Sequence, residues 1–387
     1  VLFVDGYDRA IKIGSKGYPG SGVQKTDSEK GLRGSKEAFS ESVKMNTALI
    51  RKRIRNAKMK AEEKQVGRYS ATTTALLYLD GVVYLPICEE MRKRLDAFEV
   101  DGIEDGGMIE YLTRKKKEGR FPVYQTTERP DRAAQAILEG RVVLLTDNSP
   151  EALIFPATLN SLFQTADDYY RNERIVTFLR LIRYVAAFLA LALPGLYVAA
   201  ATFHPQLLPG NLIRSMAEAR SGVPFPTAAE VLLMELSFEL LREAGLRMPG
   251  PAGNTIGIVG GLIVGQAAVS ANLVSPITVT VAALTALGSF SIPNEELSEV
   301  FRLWKYGILL LGSCFGILGV MLGCFLLLML MAEQESYGIP WLYPYVGGNL
   351  NERADEKDSM FLAAARKRKR RPIFAKWGNR IRFRRKS

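Results

Sequence analysis

The hydrophobic and polar positions divide the chain into two unlike regions. Residues 1–180 mix charged and apolar positions over short distances, whereas residues 181–331 carry long apolar runs. An apolar run of about 20 residues is long enough to cross a bilayer as a helix. The pattern therefore predicts an α/β cytoplasmic N-terminal region, an α-helical multi-pass membrane domain and, over residues 332–387, a basic cytoplasmic tail.

The soluble region contains two stretches with the same plan. Residues 1–14 read as a strand, a turn and a second strand, and residues 142–156 repeat this plan after a helical pattern at 128–141. We interpret the repeat as two related subdomains, the first truncated and ending at residue 14, the second spanning 15–180. Two unrelated hairpins are the alternative. Because the chain begins without Met and no helix precedes the first copy, we interpret the sequence as a fragment.

Between the two copies the pattern predicts further helices and strands. Ser35–Ala57 has the spacing of an amphipathic helix capped by Ser35. Ser70–Pro86 is rich in β-branched and aromatic residues and reads as a buried strand, and Glu89 begins another helix. Strands that alternate with helices make this an α/β region.

An uncharged run at 255–273 is the most informative part of the predicted membrane domain. As a helix it has one side of small residues, which let a second helix approach closely: Gly257, Gly261, Gly265 and Ala268. The other side joins apolar and polar residues: Val259, Ile263, Gln266 and Ser270. Polar groups inside a membrane are costly and often functional, so this second side is a candidate pore lining. The alternative is a packed helix in which Gln266 bonds a neighbour.

Three other apolar runs predict membrane spans at about 181–203, 277–292 and 304–331. The last of these runs has a second close-packing side, which is made of four glycines: Gly312, Gly316, Gly319 and Gly323.

An amphipathic helix is predicted at 227–246. Its charges form one stripe: Glu235, Glu239, Arg242 and Glu243. Such a helix lies at the membrane interface or faces a wet or protein-filled interior. The stripe is either an ion-attracting vestibule or a set of internal salt bridges, such as one from Glu235 or Glu239 to Arg242.

Basic residues predict the orientation of the spans. Arginines at 171–183 precede the first span and a basic run at 366–371 follows the last, so both the soluble region and the carboxyl end are predicted to be cytoplasmic. Two ends on one side require an even number of crossings, yet there are five apolar segments. We predict that the 227–246 helix does not cross, which leaves four spans; the short 277–292 segment is the alternative. The basic run suits contact with anionic lipid as well as a topology signal.

The composition argues against several classes of function. The net charge of +11 is concentrated beside the last predicted span, so it bears on membrane orientation before nucleic acid. The basic run at 51–55 lacks the aromatic residues of a nucleic-acid surface. Three cysteines and the single His204 form no disulfide framework, metal cluster or catalytic constellation. We therefore expect no enzymatic activity, no metal, no cofactor and no nucleic acid partner.

Several long stretches, spread over nearly the whole chain, carry a family likeness. They are RGSKEAFSESVKMNTALIRKRIR at 33–55, QTTERPD at 125–131, LEGRVVLLTDNSPEALIFP at 138–156, ADDYY at 166–170, LPGLYVA at 193–199, the stretch 224–269, LVSPITVTVAALTALGSFSIPN at 273–294 and SYGIPWLYP at 336–344. In these stretches the chain resembles the A subunit of bacterial spore germination receptors, the GerA family. An accessory protein of the sporulation stage V operon is an alternative member, although LREAGLRMPGP at 241–251 looks more like the receptor type.

The resemblance implies a multi-pass subunit of a nutrient receptor in the inner membrane of dormant endospores. It implies two partners: a transporter-like B subunit, which binds the nutrient, and a C subunit, which is a lipoprotein. It further implies a homo-oligomeric ring that forms a nutrient-gated ion channel.

Pattern and resemblance together leave three hypotheses. The first is a channel subunit in which Val259 and Ile263 form apolar rings that gate by dewetting while Gln266 hydrates an ion. The second is a non-conducting scaffold that assembles the receptor. The third is a secondary transporter, which a broken helix at Pro194-Gly195 would suit, although four spans are few for that class.

Overall fold

The computed structural model has an N-terminal sheet region joined to a bundle of long helices. It describes residues 2–3, 10–11, 25–26, 29, 33–115, 118–247, 252–346, 357–364, 366–376, 378 and 381. Side chains are described at all of these positions except 2–3, 10–11, 252–259 and 262.

The sheet region contains these elements in chain order: β1 (Leu2–Phe3), β2 (Ala10–Ile11), α1 (Val43–Arg53), β3 (Met59–Val66), β4 (Thr72–Leu79), α2 (Leu85–Asp96), α3 (Gly106–Thr113), β5 (Gln125–Thr127), α4 (Pro130–Glu139), β6 (Val142–Thr146), β7 (Ala152–Phe155) and α5 (Leu159–Phe163). A 3-10 helix, Ala166–Tyr170, leads into the bundle.

Five strands form an antiparallel sheet in the order β3, β4, β6, β7, β5. Successive residues of β4 face opposite sides: Leu76 and Tyr78 join one core, whereas Ala75 and Leu77 join the other. Helices α2 and α3 contribute to the first core, and helices α1 and α4 contribute to the second. Burial on both sides explains why β4 and β6 are almost continuously apolar in the sequence.

The hairpin predicted at 142–156 is present as β6 and β7, and α4 is the helix predicted before it. Local signals define both, because Gly140 ends α4 with a φ of +94° and Asn148 turns the hairpin with a φ of +68°. The strands β1 and β2 also pair antiparallel, as predicted. Much of the first copy lies outside the described residues, so the duplication stays a prediction.

Helix α1 begins later than predicted. Its first residue is Val43, whose backbone N–H donates to Oδ1 of Asp147 at 3.0 Å. Ser35, the predicted cap, instead accepts a hydrogen bond from Arg53 at the other end of the helix. The group at the amino end of α1 comes from the β6–β7 turn, so the local sequence carries no signal for it.

The bundle contains α6 (Glu173–Thr202), α7 (Gly210–Arg220), α8 (Thr227–Leu246), α9 (Ala252–Ser270), α10 (Pro276–Phe290), α11 (Glu295–Phe315) and α12 (Ile317–Glu333), followed by the short strands β8 (Glu335–Ser336) and β9 (Ile339–Pro340).

The long helices run up and down between two ends of the bundle. At the end beside the sheet region, here the near end, Glu296 of α11 lies 3.7 Å from Arg114. At the opposite far end, the turn at Gly316 touches His204, which follows α6. Helix α8 begins at the far end, where the Glu230 carboxylate accepts from the backbone of Ser275. The helices α6, α8, α9, α10, α11 and α12 thus alternate in direction.

The predicted single span at 304–331 is wrong. Helix α11 ends at Phe315 and α12 begins at Ile317, because Gly316 has φ +64° and ψ −144°, a conformation essentially restricted to glycine. The two helices fold back on each other, so that a Cβ at Gly323 would lie 2.9 Å from Ile308. In an apolar run, a glycine that breaks a helix looks the same in the sequence as a glycine that packs against another helix. The sequence therefore did not predict the break at Gly316.

The number of helices in the bundle differs from the number of predicted spans. Helix α8, which was predicted not to cross the membrane, runs antiparallel to its neighbours through the bundle, and the last run supplies two helices rather than one. There are therefore six alternating helices in the described bundle, an even number, where the sequence predicted four spans. Among the described residues, α6 alone is long and apolar enough to qualify as a membrane span, and the apolar helices α10 and α12 are shorter.

The described residues after α12, which were predicted as a basic tail, pack against the sheet region; their cytoplasmic location stays a prediction. Trp341 is fully buried and its indole donates to the carbonyl of Pro122 at 2.7 Å. Residues 357–364 and 366–376, here called the C-terminal segment, pack on the sheet region, where Phe374 joins one core and Ala375 the other. A Cβ at Gly140 would lie 2.7 Å from the Ala375 backbone, so this contact needs a glycine there. The basic composition of the segment concealed its apolar anchors.

Candidate functional site

The small-residue side of α9 packs inside the chain. A Cβ at Gly261 would lie 3.0 Å from the Phe238 ring of α8, and one at Gly265 would lie 3.1 Å from Val279 of α10. Ala268 is buried in the same cluster. We call these contacts the glycine seam. Gly257 falls in the part of α9 whose side chains are outside the described residues.

The opposite side of α9 faces outward. Ile263 is 59% exposed, and Gln266 and Ser270 are exposed as well. Val259 falls outside the described side chains. The outward side of α9 thus carries the Ile263 side chain, the Gln266 amide and the Ser270 hydroxyl, and these groups are available to contact a neighbouring molecule. Pore lining stays a prediction for all four positions.

The charged stripe of α8 meets basic residues of α11. Lys305 donates to Glu235 at 2.6 Å, and both side chains are buried, with exposures of 6% and 2%. Arg302 donates to Glu239 in the next turn. Arg242 lies 3.6 Å from Glu295.

These three ion pairs, Glu235–Lys305, Glu239–Arg302 and Arg242–Glu295, are here called the charged seam. The predicted pairing of Glu235 or Glu239 with Arg242 is wrong, because the partners of these carboxylates come from α11. The remaining member of the stripe, Glu243, pairs with Arg247 at the exposed end of α8.

Arg302 and Lys305 were missed as site residues. The sequence did contain a signal for them. Arg302 and Lys305 are three residues apart at the start of an apolar run, so they lie on one side of a helix, as do Glu235 and Glu239, which are four residues apart on α8. Removing one member of such a buried pair leaves an uncompensated charge, which costs about 3–5 kcal/mol. The charged seam therefore fixes the register of α8 against α11.

Glu230 is a second buried carboxylate on α8. It accepts from the backbone N–H of Ser275 at 3.0 Å and the hydroxyl of Thr278 at 3.1 Å, and Arg220 of α7 donates to its other oxygen at 3.1 Å. Its contacts join α7, α8 and the start of α10 at the far end.

Three of the four glycines of the last run lie at helix contacts. A Cβ at Gly312 would lie 2.9 Å from the carbonyl oxygen of Gly195 in α6. At Gly319 it would overlap the Leu311 carbonyl, and Gly323 faces Ile308. Gly316 forms the break between the two helices instead.

Two arginines that were predicted only as orientation signals tie α6 to the sheet region. Arg180 donates to Asp168 and to Asp358 of the C-terminal segment, both at 3.0 Å. Arg183 donates to the same Asp168 at 2.9 Å. Arg180 is almost fully buried, so the near end of α6 is held by a network that joins three parts of the chain.

Helix α11 also meets the sheet region. Arg114, the residue that follows α3, pairs with Glu110 of that helix and approaches Glu296, which lies in the first turn of α11, ahead of its apolar part. Burial and the neighbouring carboxylate of Glu110 raise the pKa of Glu296. A movement of α3 would therefore shift α11 first, through the Arg114–Glu296 contact, and then α8, through the charged seam.

Comparison with known proteins identifies the family. The family model described as Bacillus/Clostridium GerA spore germination protein matches residues 1–374. The uncharacterized membrane protein YfkQ of Bacillus subtilis (strain 168) is 38% identical over 364 residues, which are 94% of this chain and 70% of that protein. Spore germination protein KA of the same organism is 36% identical over 89% of this chain, and this chain spans only 63% of its length.

Spore germination protein A1 of Bacillus subtilis (strain 168) is also 36% identical, over 89% of this chain and 71% of that protein. A crystal structure of the N-terminal domain of the A subunit of the Bacillus megaterium spore germinant receptor GerK3 is 33% identical, covers 32% of this chain and 97% of that chain, and has a TM-score of 0.25. The chain belongs to the GerA family of spore germination proteins.

Proposed function

We propose that the chain is the membrane subunit of a germinant receptor and that its helical bundle forms an oligomeric, ligand-gated ion channel. The germination role rests on the family and on relatives named as spore germination proteins. The channel role rests on the bundle itself. It requires neither enzymatic activity nor a metal or cofactor.

The orientation of α9 carries the channel proposal. Its glycine side is used within the chain, so a neighbouring copy can only meet the outward side, where Ile263, Gln266 and Ser270 lie. In a ring of copies these side chains would surround the axis. An apolar ring at Ile263, extended by Val259, would block ions by dewetting, and Gln266 would hydrate an ion that passes.

Gating would follow a mechanical route through the chain. A partner that moves the sheet region would shift α3, then α11 at Glu296, then α8 through the charged seam. Helix α9 would respond because it packs on α8, where Gly261 lies against the Phe238 ring. A nutrient opens such a channel only if it binds the open receptor more tightly than the closed one.

The membrane placement follows from the two ends of the bundle. Helix α6 leaves the sheet region through Arg180, and α12 returns to it through Trp341, so the chain would cross an even number of times. The arginines around 171–183 would place this side in the cytoplasm. The expected setting is the spore inner membrane, in a complex with a nutrient-binding B subunit and a lipoprotein C subunit.

A non-conducting scaffold is the second candidate, and the charged seam favours it. Because Glu235 and Glu239 are neutralised by Lys305 and Arg302, they do not form the ion-attracting vestibule that the stripe suggested. A scaffold needs only the tight joints of the bundle and the sheet region.

Spores that carry the complete receptor distinguish these candidates. Ile263→Ala removes most of the apolar ring, so we expect cation release without nutrient at a rate well above that of wild-type spores. Leu287→Ala is the matched control, because Leu287 on α10 is also an outward apolar side chain, 63% exposed, but lies on another helix. Equal release from wild type and Ile263→Ala at equal protein levels would favour the scaffold.

A further inference from the structure

A polar cavity lies where the C-terminal segment meets the sheet region. Its volume is about 60 Å³. Its walls come from the start of β6, from α5, from the 3-10 helix and from the C-terminal segment, and the residues that matter for its chemistry are Arg141, Gln164, Tyr169, Asp358, Arg368 and Arg370. Nothing in the proposed channel function uses it.

Arg141 brings a buried positive charge to this cavity. It is only 5% exposed, its Nε donates to the Pro156 carbonyl at 2.9 Å, and its Nη1 donates to Gln125 Oε1 at 2.8 Å. Both partners are neutral, and Nη2 is buried without a hydrogen-bond partner among the described residues. Burial lowers the pKa of Arg141 to about 10. Buried charges in proteins are normally paired, yet neither described hydrogen-bond acceptor of this guanidinium is an anion; Glu139 is a charged neighbour that favours its protonated form.

Asp358, one of the two carboxylates that line the cavity, already accepts hydrogen bonds from other groups. Oδ1 of Asp358 accepts from Arg180 at 3.0 Å, and Oδ2 accepts from Arg368 at 3.0 Å. Tyr169 donates to Oδ2 as well, at 3.2 Å. Arg368 keeps its Nε buried and without a hydrogen-bond partner among the described residues. Arg141 and Arg368 thus each keep one buried N–H without a described partner, and both residues line this cavity.

The charge count points the same way. Three arginines, Arg141, Arg368 and Arg370, face two carboxylates, Glu139 and Asp358, so the lining carries one net positive charge. Water would satisfy the N–H groups but would leave this charge. A cavity of about 60 Å³ holds one tetrahedral anion and is far smaller than the several hundred Å³ of a pocket for a nucleotide-sized ligand.

We propose that this cavity binds a phosphate group, which bridges Arg141 on the sheet region and Arg368 on the C-terminal segment. Guanidinium N–H groups match phosphate oxygens in geometry and charge. The same chemistry has two sources, free inorganic phosphate and the phosphate of an anionic lipid headgroup. The lipid source is within reach because Arg180, which holds Asp358 beside the cavity, lies at the start of the apolar part of α6.

Binding would lock the C-terminal segment onto the sheet region. Part of the basic run at 366–371 would then act as a ligand-dependent clasp, because Arg368 and Arg370 line the cavity whereas Lys367 and Lys369 do not. The bridge would also brace the Asp358–Arg180 contact, which holds the near end of α6.

The test uses the full chain in uncharged detergent, with potassium phosphate titrated against potassium chloride at constant ionic strength. We expect phosphate to raise Tm in a saturable way for wild type and for the control Lys369→Gln. Arg368→Gln and Arg141→Lys each remove an N–H donor to a charged group, so apparent affinity should fall about tenfold or more. If Arg141→Lys does not fold, Arg368→Gln carries the comparison.

Nanodiscs separate the two sources. If the phosphate belongs to a lipid, nanodiscs containing phosphatidylglycerol will stabilise wild type relative to pure phosphatidylcholine, and added phosphate will have no further effect; Arg368→Gln will lose this stabilisation. If it is free phosphate, the titration will look the same in both nanodiscs. The proposal is overturned if neither source stabilises the chain saturably, if Arg368→Gln responds like wild type, or if acetate replaces phosphate equally well.

Discussion

Helix α8 makes two joints of opposite character. Towards α11 it forms the charged seam, where each carboxylate has one basic partner and a slip by one turn would leave charges unpaired. Towards α9 it forms part of the glycine seam, where Phe238 lies over Gly261 and a small displacement breaks no ion pair. The first joint holds α8 and α11 as a unit, and the second leaves α9 as the helix that can move.

Breaking the charged seam should have the largest effect. Lys305→Leu leaves the Glu235 carboxylate buried and unpaired, so we expect the free energy of unfolding to fall by about 3–5 kcal/mol. Thermal unfolding of the purified chain, followed by circular dichroism, measures the loss.

Glu243→Gln is the matched control for this variant. Glu243 belongs to the same stripe, but its pair with Arg247 is exposed, so the change should stay below about 1 kcal/mol. If Lys305→Leu were as stable as wild type, the charged seam would not be what fixes α8 against α11.

Filling the glycine seam should cost less. Gly261→Leu places a large side chain where even a Cβ would be 3.0 Å from Phe238. Overpacking of this kind costs about 1–3 kcal/mol, because α9 can shift outward without exposing a charge. The same melting experiment measures it, with the exposed position Ala267→Leu on α9 as control. Equal losses from the two variants would mean that α9 does not pack through its glycine side.

A change of pH should have the smallest effect. The raised pKa of Glu296 means that the folded state favours the protonated carboxyl, so this contact is most stable at low pH. It weakens as pH rises from the ordinary pKa of a glutamate, about 4.3, through the raised value. The groups around Glu296 are Glu110, Arg114 and Glu299.

The measurement for this prediction is Tm as a function of pH. Glu296→Gln removes the titrating group, so its Tm should gain on wild type as pH increases. Glu243→Gln, a change at an exposed carboxylate on α8 that is not among the groups around Glu296, should follow wild type at every pH. If the difference in Tm between Glu296→Gln and wild type were the same at every pH, Glu296 would not be the group that causes the pH dependence.

The sequence predicted the parts of the fold that local chemistry determines. The β6–β7 hairpin and α4 follow from turn residues and an αL-ending glycine, Gly140, within the elements themselves. Helix α9 follows from an uncharged run. Among its described residues from Gly261 to Ser270, the side predicted to pack is buried and the opposite side is exposed.

Long-range features were beyond the sequence. The partners of Glu235 and Glu239 lie 70 and 63 residues away, and the nearer Arg242 looked equally suitable from spacing. The group that receives the first N–H of α1 comes from Asp147, 104 residues away. Gly316 breaks a helix, but in the sequence it looks like the neighbouring glycines that pack against other helices. Phe374 is buried in the sheet region, but it follows a basic run that predicts an exposed tail.

Modification of Gln266 tests the central claim, that the outward side of α9 lines a pore. The purified chain with Cys314→Ser, Cys324→Ser, Gln266→Cys and Ile263→Ala, the last of which removes the apolar ring so that no nutrient is needed, is reconstituted in liposomes, and cation flux is measured before and after a positively charged thiol reagent is added; Leu287→Cys is tested in the same background without Gln266→Cys. We predict that the reagent blocks flux through Gln266→Cys and leaves the matched Leu287→Cys unchanged. Absence of flux, or flux that the reagent does not change in Gln266→Cys, would contradict the assignment of α9 to the pore.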